Sequence, residues 1–342
     1  MHVKPIAPVM LAVIAVGIAS TTSAAAQTRA TDDITLPRYT GYISVAPEGR
    51  YFVDEAGQGF IVIGENDGVP WPGLVTLVDR SSPVSTERYI MDLREHGVTA
   101  SRIMLEYAEQ PFSYLENPVD SFSPSIVQFW DDFFPMAEEH GLYLLLTPYD
   151  TFWQARNWER YPYSASMGGP CEEMHDWLTD RACIDAQKNR WRFVIDRWGD
   201  SPNIFAWDIM NEIDIWWGAS PEEIKAYVDE MAAFIHECEL ERWGKAHLLT
   251  VSSAAANPTG GLGEIIYQHP LLDFVNTHQY LRPAVNDPGG DTISAAPAVA
   301  QSTAQSLAAI TDSRPYFDSE SGPIDGWIAD FDVDAEYHHN MV

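Results

Sequence analysis

Apolar runs follow helical segments at regular intervals between residues 61 and 320. The helical segments end in a glycine and an apolar run begins at once, as in LREHGVTASRIML (93–105) and MAEEHGLYLLLTPY (136–149). Glycine just past a helix end accepts the left-handed conformation that lets the chain reverse. Runs without polar alternation are typical of parallel strands that helices cover. The pattern predicts strands near residues 60–64, 100–105, 142–147, 204–210, 247–252, 273–277 and 315–319.

Alternation of strands and helices on this scale predicts an α/β fold of the (β/α)8 TIM-barrel type. A doubly wound sheet is disfavoured because no glycine-rich phosphate loop follows the first strand. Only seven strand patterns are found, so we expect the barrel to be truncated before strand eight. The predicted organisation is a signal peptide over 1–26, an N-terminal extension with a short β-hairpin over 27–59, and an incomplete barrel over 60–342.

The first residues have the features of a secretory signal. Lys4 is followed by an apolar stretch over 9–19 and by small residues at 24–26, which together are typical of a cleaved targeting segment. We therefore expect a secreted or periplasmic protein. Export also favours a disulfide between Cys171 and Cys183, which flank one loop. Cys238 lies in a helical pattern and is expected to remain a free thiol.

The net charge of −30 disfavours nucleic acid and anionic membranes as partners, because their phosphates would be repelled. A neutral polysaccharide is compatible with this charge. No other segment has the roughly 18 apolar residues that a membrane-spanning helix requires. His278 is the only histidine predicted at the C-terminal end of a strand, so neither a metal nor another cofactor is expected. We expect a monomer.

Two glutamates follow predicted strands and are the candidate catalytic residues. Glu212 ends the run NIFAWDIMNEID (203–214), and Glu320 lies in RPYFDSESG (314–322). The carboxyl ends of all strands in a barrel meet at one face, where active sites form. Cleavage of a glycosidic bond with retention requires two carboxyl groups about 5–5.5 Å apart, one protonated and one ionised. We predict that Glu212 is the acid/base and that Glu320 is the nucleophile.

Motifs at four strand ends resemble those of glycoside hydrolase family 5, the cellulase and mannanase family of retaining (β/α)8 glycosidases. They are Arg102 in GVTASRIML, the pair Asn211-Glu212, His278 and Tyr280 in VNTHQY, and Glu320 in FDSESG. The resemblance covers nearly all of the chain after the signal peptide. A histidine usual near the end of strand three is absent, and the sequence there is TPYD (147–150).

The chemistry assigns a role to each of these neighbours. Arg102 supplies a permanent positive charge that keeps Glu320 ionised. Tyr280 donates a hydrogen bond to Glu320, Asn211 binds a sugar 2-hydroxyl, and His278 supports the site or binds a sugar hydroxyl.

Some alternatives stay open. Arg102 could instead pair with Glu65 or Glu106, and His278 could be a structural buried histidine. Asp318 is the second candidate for nucleophile, because strict alternation would place it on the same strand face as Glu320.

Aromatic residues in the loops after strands three and four are candidate sugar-binding platforms, because flat apolar rings suit the C–H faces of pyranose rings. The predicted platform residues are Tyr149, Trp153, Trp216 and Trp217. The leading hypothesis is a secreted retaining β-glycoside hydrolase that cleaves a mannan-like or glucan-like polysaccharide internally. The alternative hypothesis is a catalytically inactive carbohydrate-binding barrel.

Overall fold

A computed structural model describes residues 37–215, 217–280 and 292–321, with side chains from residue 297 in the last range. The described residues all belong to one compact unit. The predicted signal peptide, the residues after 321 and Trp216 lie outside the described residues, and so do the positions on which the predicted truncation depends.

In the described residues, the strands of the N-terminal sheet have 2 residues each and those of the main sheet have 2 to 6. They are β1 (Ser44–Val45), β2 (Phe52–Val53), β3 (Gly59–Phe60), β4 (Gly64–Asp67), β5 (Ala100–Met104), β6 (Tyr143–Thr147), β7 (Ile204–Asp208), β8 (Leu248–Thr250), β9 (Ser252–Ser253), β10 (Val275–Gln279) and β11 (Tyr316–Ser321). The α-helices are α1 (Val75–Val78), α2 (Pro83–Glu95), α3 (Pro124–His140), α4 (Thr151–Arg156), α5 (Asp176–Thr179), α6 (Arg181–Trp198), α7 (Pro221–Trp243), α8 (Gly260–Gln268) and α9 (Thr292–Ala309).

The main sheet is parallel, and its strands are adjacent in chain order. Strands β4 to β8 form one five-stranded group and β9 to β11 another of three, with only Val251 between β8 and β9. Seven strand positions therefore follow one another with helices between them, as the apolar runs predict. The first strand begins at Gly64 rather than near residue 60.

Helix ends follow the sequence signals in most places. Gly141 and Gly244 end α3 and α7 in the left-handed conformation, with φ of 68° and 71°. Gly199 ends α6 with φ of −71°, so its role is different from the predicted one. A Cβ atom there would lie 2.7 Å from the Ile195 carbonyl oxygen. Close packing, rather than chain reversal, requires glycine at that position.

The core has two parts. The larger cluster lies between the sheet and its helices, and a second, inner cluster contains residues from the amino ends of the barrel strands. Strands β1 to β3 form an antiparallel sheet that adds Phe52 and Phe60 to the inner cluster. The ring centroids of Phe52 and Phe205 lie 5.0 Å apart. This small sheet thus covers the end of the barrel opposite to the carboxyl ends of its strands.

Cys171 and Cys183 form the predicted disulfide, and Cys238 is a half-buried free thiol. Among the described helices, none combines the length and the apolar character needed to cross a bilayer.

Candidate active site

A β-bulge turns Glu320 towards the inside of the barrel. Phe317 of β11 packs in the inner cluster, so strict alternation would turn Glu320 to the outer face. The pairing of β10 with β11 shifts just before His278, which pairs with Glu320 and leaves Ser319 as the extra residue. A bulge of this kind redirects a side chain without ending the strand.

The same bulge separates Glu320 from Asp318, the second candidate nucleophile. Asp318 pairs with Thr277, whose hydroxyl lies on the outer face 2.9 Å from the Tyr316 hydroxyl. Asp318 therefore shares that outer face, and the expectation that it lies on the same face as Glu320 is wrong. Burial raises the pKa of the Asp318 carboxyl to about 7.

Glu212 reaches the site from the turn that follows β7. Its backbone has a φ of 50°, in the left-handed region that residues other than glycine rarely adopt. A second register shift, between β6 and β7 near Phe205, brings Asp208 to the inner face, where it meets Arg102.

The two candidate catalytic carboxylates lie side by side. One oxygen of Glu212, one oxygen of Glu320 and a ring nitrogen of His278 all lie within 4.8 Å of one another. Glu212 is 8% exposed and the Glu320 side chain 23% exposed, so both are partly accessible from solvent. The separation is far below the roughly 6.5–9.5 Å that an inverting enzyme needs to accommodate a water molecule, and is close to that of a retaining one.

Glu320 is held as a carboxylate by two hydrogen-bond donors and a nearby imidazole. The Arg102 Nη1 atom lies 2.9 Å from Oε2, the Tyr280 hydroxyl donates to Oε1 at 2.6 Å, and His278 Nδ1 lies 3.5 Å from Oε2. Burial by itself would raise the pKa of the Glu320 carboxyl. The charges of His278 and Arg102 and the Tyr280 hydrogen bond outweigh burial and hold this pKa below its usual value.

Arg102 is buried and donates hydrogen bonds to several side chains of the site. Its Nη2 atom donates to Asn211 Oδ1 at 2.5 Å and to Asp208 Oδ2 at 3.3 Å, and Nη1 also donates to Asn66 Oδ1 at 3.2 Å. Burial would lower the pKa of the guanidinium, but the Glu320 and Asp208 carboxylates raise it above the usual value. Arg102 therefore stays charged.

The alternative partners of Arg102 are engaged elsewhere. Glu106 is fully buried and pairs with Arg190, whose Nη1 atom lies 3.0 Å from its Oε1 atom. Glu65 accepts a hydrogen bond from the Ser101 hydroxyl on the outer side of β4. Glu320 and Asp208 are the acidic partners of Arg102.

His278 lies between the two carboxylates. Its Nδ1 atom is 2.8 Å from Glu212 Oε1, and its Nε2 atom is 3.3 Å from the Ser319 hydroxyl. Burial would lower the pKa of the imidazole, whereas Glu320 and Glu212 raise it above the usual value. The ring is buried, as the structural alternative requires, and it also contacts both candidate catalytic groups.

A row of half-buried aromatic rings follows β4, β5 and β6. The ring centroid of Trp71 lies 6.1 Å from that of Tyr107, which lies 6.4 Å from that of Trp153. Trp153 is a predicted platform residue and remains a candidate. Tyr107 was not singled out from the sequence, although its position just after a strand was the available signal.

Two predicted platform residues are wrong. Tyr149 is fully buried, and the Arg190 guanidinium lies 4.7 Å from its ring centroid. Trp217 is 2% exposed and stacks on Trp177, with centroids 5.6 Å apart. Neither ring offers an exposed face to a sugar, because both pack against Trp177 within the larger core cluster. Trp216 lies outside the described residues.

Three groups of described residues place histidine and carboxylate atoms close enough to hold a metal ion. They are Glu87, Glu139 and His140; Glu173, His175 and Asp176; and Glu212, His278 and Glu320. In the last group the Arg102 guanidinium already supplies a positive charge to Glu320. A cation bound there would have to compete with it.

The chain is similar in sequence to curated proteins named mannan endo-1,4-beta-mannosidases. No protein-family model matches the chain. Mannan endo-1,4-beta-mannosidase 7 of Arabidopsis thaliana is 26% identical over 217 residues, which are 58% of this chain and 50% of that protein. The chain thus spans about half the length of the curated relatives it matches.

Solved structures show a similar fold. The glycoside hydrolase family 5 mannosidase from Rhizomucor miehei has a TM-score of 0.61 and 15% identity, over 82% of this chain and 73% of that one. An exo-beta-1,4-mannosidase from Opitutaceae bacterium strain TAV5 has a TM-score of 0.57 and 16% identity, over 87% and 52% of the two chains. These findings confirm the resemblance to glycoside hydrolase family 5 and its (β/α)8-barrel fold.

Proposed function

We propose that this chain is a retaining β-glycosidase in which Glu320 is the nucleophile and Glu212 the acid/base. The observation that carries the proposal is the separation of their carboxylate oxygens, which is within 4.8 Å. The different surroundings of the two groups support the assignment. Glu320 has an arginine, a tyrosine hydroxyl and a histidine around it, whereas among the described residues the Glu212 carboxylate has the histidine alone within hydrogen-bond distance.

In the first step, a Glu320 oxygen attacks the anomeric carbon while protonated Glu212 gives its proton to the departing glycosidic oxygen. The carbon–oxygen bond to the leaving group breaks and a glycosyl ester on Glu320 forms. In the second step, Glu212 takes a proton from water, and the water oxygen attacks the anomeric carbon. The ester bond breaks, Glu320 recovers its negative charge, and the product keeps the β configuration.

The neighbours of the two glutamates favour this division of roles. Arg102 and Tyr280 each hold one oxygen of Glu320, which fixes the orientation of the carboxylate and stabilises its charge between turnovers. The Asn211 side chain is held by Arg102 beside Glu320 and is buried. We assign to Asn211 a hydrogen bond to the sugar 2-hydroxyl, a contact that tightens as the oxocarbenium ion develops.

We propose a β-1,4-linked mannan as the substrate and internal cleavage as the mode of action. The curated relatives that the chain matches are named mannan endo-1,4-beta-mannosidases. The half-buried rings of Trp71, Tyr107 and Trp153 form a suitable apolar platform. Product analysis on mannan tests the mode: internal cleavage lowers viscosity early, while terminal cleavage releases mannose or mannobiose from the start.

We also propose that the protein is exported and acts as a monomer. The signal-like pattern of residues 1–26 supports export, and so does the Cys171–Cys183 disulfide, because such bonds persist in oxidising compartments. Mass spectrometry of the protein recovered from its native host tests this. A mature chain that begins at Gln27 agrees with the proposal, and an unprocessed chain in the cytoplasm contradicts it.

The catalytic proposal is tested with Glu320→Ala on an aryl β-mannoside. We expect turnover to fall by at least about 10³-fold and azide to restore it with an α-mannosyl azide as product, because the small anion takes the place of the lost carboxylate. Asp318→Asn is the matched control, two residues away on the outer face, and should retain activity. Undiminished turnover by Glu320→Ala, or oligosaccharide binding by the wild type without any hydrolysis, would contradict the proposal. The latter result would instead favour a carbohydrate-binding barrel.

A further inference from the structure

The backbone that carries Glu212 needs external support. A φ of 50° is costly for a residue with a Cβ atom, and it persists only where the surroundings hold it. Glu212 is not part of a strand or helix, so no ladder of backbone hydrogen bonds fixes it. The support must come from the neighbouring elements.

Two buried hydroxyl groups hold the peptide bond between Asn211 and Glu212. The Thr151 hydroxyl, at the start of α4, donates to the Asn211 carbonyl oxygen at 2.8 Å. The Glu212 N–H donates to the Ser252 hydroxyl of β9 at 3.0 Å. Both polar atoms of this one peptide group are therefore bonded to side chains from the two neighbouring strand positions of the barrel.

Each hydroxyl is itself fixed in direction. The Thr151 oxygen accepts from Asn211 Nδ2 at 3.1 Å while its own proton goes to the Asn211 carbonyl. The Ser252 oxygen accepts from Glu212, and its proton points to the Met210 carbonyl oxygen at 3.4 Å. Thr151 and Ser252 are fully buried, so water does not compete for these bonds.

The backbone of Ser252 is also hydrogen-bonded to the turn. Its N–H donates to Asp208 Oδ1 at 3.0 Å, and its carbonyl oxygen accepts from the Ile213 N–H at 3.0 Å. The turn from Asp208 to Ile213 is thus attached at several points to one residue of the next strand. This attachment leaves the Asn211–Glu212 peptide group little freedom to rotate.

We propose that Thr151 and Ser252 are positioning residues that set the left-handed backbone of Glu212 and so aim its carboxyl group at the glycosidic oxygen. The inference rests on the proposed role of Glu212 as the acid/base. The hydrogen bonds of both hydroxyls go to the turn that carries Glu212 and not to its carboxyl group. Rotation of the peptide group moves the whole Glu212 side chain, so loss of either hydroxyl displaces the proton that Glu212 delivers.

A series of leaving groups distinguishes positioning of the acid from general damage. A dinitrophenyl leaving group departs without protonation, whereas an alkyl or sugar leaving group requires it. Thr151→Val and Ser252→Ala each remove one hydroxyl with little change of shape. We expect kcat/KM for mannopentaose to fall about tenfold or more in each variant, as the loss of a buried hydrogen bond implies, and kcat/KM for the dinitrophenyl mannoside to change much less.

Two further variants complete the comparison. Thr151→Ser keeps the hydroxyl and should recover most of the activity on mannopentaose. Thr250→Val is the matched control: Thr250 is equally buried, lies on the adjacent strand β8, and donates to the Phe274 carbonyl oxygen at 3.0 Å, away from the turn. It should affect both substrates alike. Equal losses on both substrates for Thr151→Val and Ser252→Ala would overturn the inference.

A crystal structure of the Thr151→Val/Ser252→Ala double variant gives a readout that does not depend on activity. The inference predicts that the φ of Glu212 leaves the left-handed region and that the contact between Glu212 and His278 lengthens. A φ that stays near 50° without either hydroxyl overturns it. If the wild type cleaves no β-mannoside, the proposed function fails on that result alone, and this structure still decides whether the hydroxyls hold the turn.

Discussion

The Nη1 atom of Arg102 lies 2.9 Å from Oε2 of Glu320, although 218 residues separate the two in the sequence. Arg102 lies on strand β5 and Glu320 on the bulged strand β11, so the fold of the sheet brings the two side chains together. This contact is one of three that keep the pKa of Glu320 below its usual value. The electrostatics of the site therefore depend on the correct placement of β5 and β11 relative to each other.

We predict that Arg102→Lys lowers kcat/KM on a β-mannoside by about 10²-fold. Lysine keeps the charge but cannot contact Glu320, Asp208 and Asn211 together, and a displacement of about 1 Å in an active site costs a factor of this size. Glu320 must be ionised to attack, so kcat/KM falls as pH falls through its pKa. Weaker contact with a cation raises that pKa, and the acidic limb of the pH profile should move to higher pH. A pH profile that superposes on that of the wild type would contradict the predicted shift. Arg197→Lys, which changes an arginine in an exposed ion pair, is the control.

A second prediction concerns the stability of the fold at different pH values. Burial, together with the nearby Asp67 carboxylate, raises the pKa of Glu65 from 4.5 to about 7. Because the folded state binds this proton more tightly than the unfolded state, the contribution to stability is present below pH 4.5 and is lost as pH rises to about 7. Glutamine does not titrate. The free energy of unfolding of Glu65→Gln should therefore fall less than that of the wild type between pH 4.5 and neutral pH, by on the order of 1 kcal/mol.

Urea unfolding of Glu65→Gln and the wild type at several pH values measures this effect. Glu109→Gln, at an exposed position, serves as the comparison. Parallel curves for Glu65→Gln and the wild type between pH 4.5 and 7 would show that this carboxyl group does not titrate as described.

Two tryptophans at neighbouring loops should respond differently to substitution. Trp153 is half-buried beside Tyr107, so Trp153→Ala should raise KM for mannan oligosaccharides several-fold with a small effect on stability. Trp217 is buried against Trp177, so Trp217→Ala should lower the free energy of unfolding by about 3–5 kcal/mol. Kinetics and urea unfolding on both variants decide this. The assignment of Trp153 as a platform fails if its variant loses stability and keeps the wild-type KM.

The disulfide should contribute measurably to stability. It closes a loop with a sequence separation of 12 residues, for which the chain-entropy treatment gives about 3 kcal/mol. Unfolding of the Cys171→Ala/Cys183→Ala double variant should therefore begin at a lower urea concentration, and Cys238→Ala should have a smaller effect. An unchanged midpoint in the double variant would mean that packing against the larger core cluster holds the insertion without the disulfide.

The sequence predicts the positions of β6, β7 and β8 well because these strands are mainly apolar on both faces. Runs such as residues 142–147 therefore stand out without any knowledge of the fold. The carboxyl ends of those strands then locate Glu212 and Glu320 at one face. This step needs only the topology of a parallel barrel.

Details that depend on one residue of register could not be predicted. Ser319 is the extra residue of a bulge, and no feature of the sequence marks it, although it decides that Glu320 and not Asp318 points inwards. Tyr149 and Trp217 were expected at the surface of a cleft. They turn inwards because Trp177 of the insertion after β6 packs against both rings and joins them to the larger core cluster, a property of packing rather than of local pattern.

The central claim is that Glu320 forms a covalent bond to the sugar, and trapping that intermediate tests it most directly. A 2-deoxy-2-fluoro-β-mannosyl fluoride reacts with the nucleophile but leaves it slowly, so the intermediate accumulates. Mass spectrometry of the intact protein and of its peptides should then show one fluoromannosyl group, attached at Glu320. A label on Asp318 or another residue, or release of α-configured product from a β-mannoside without any label, would contradict the account.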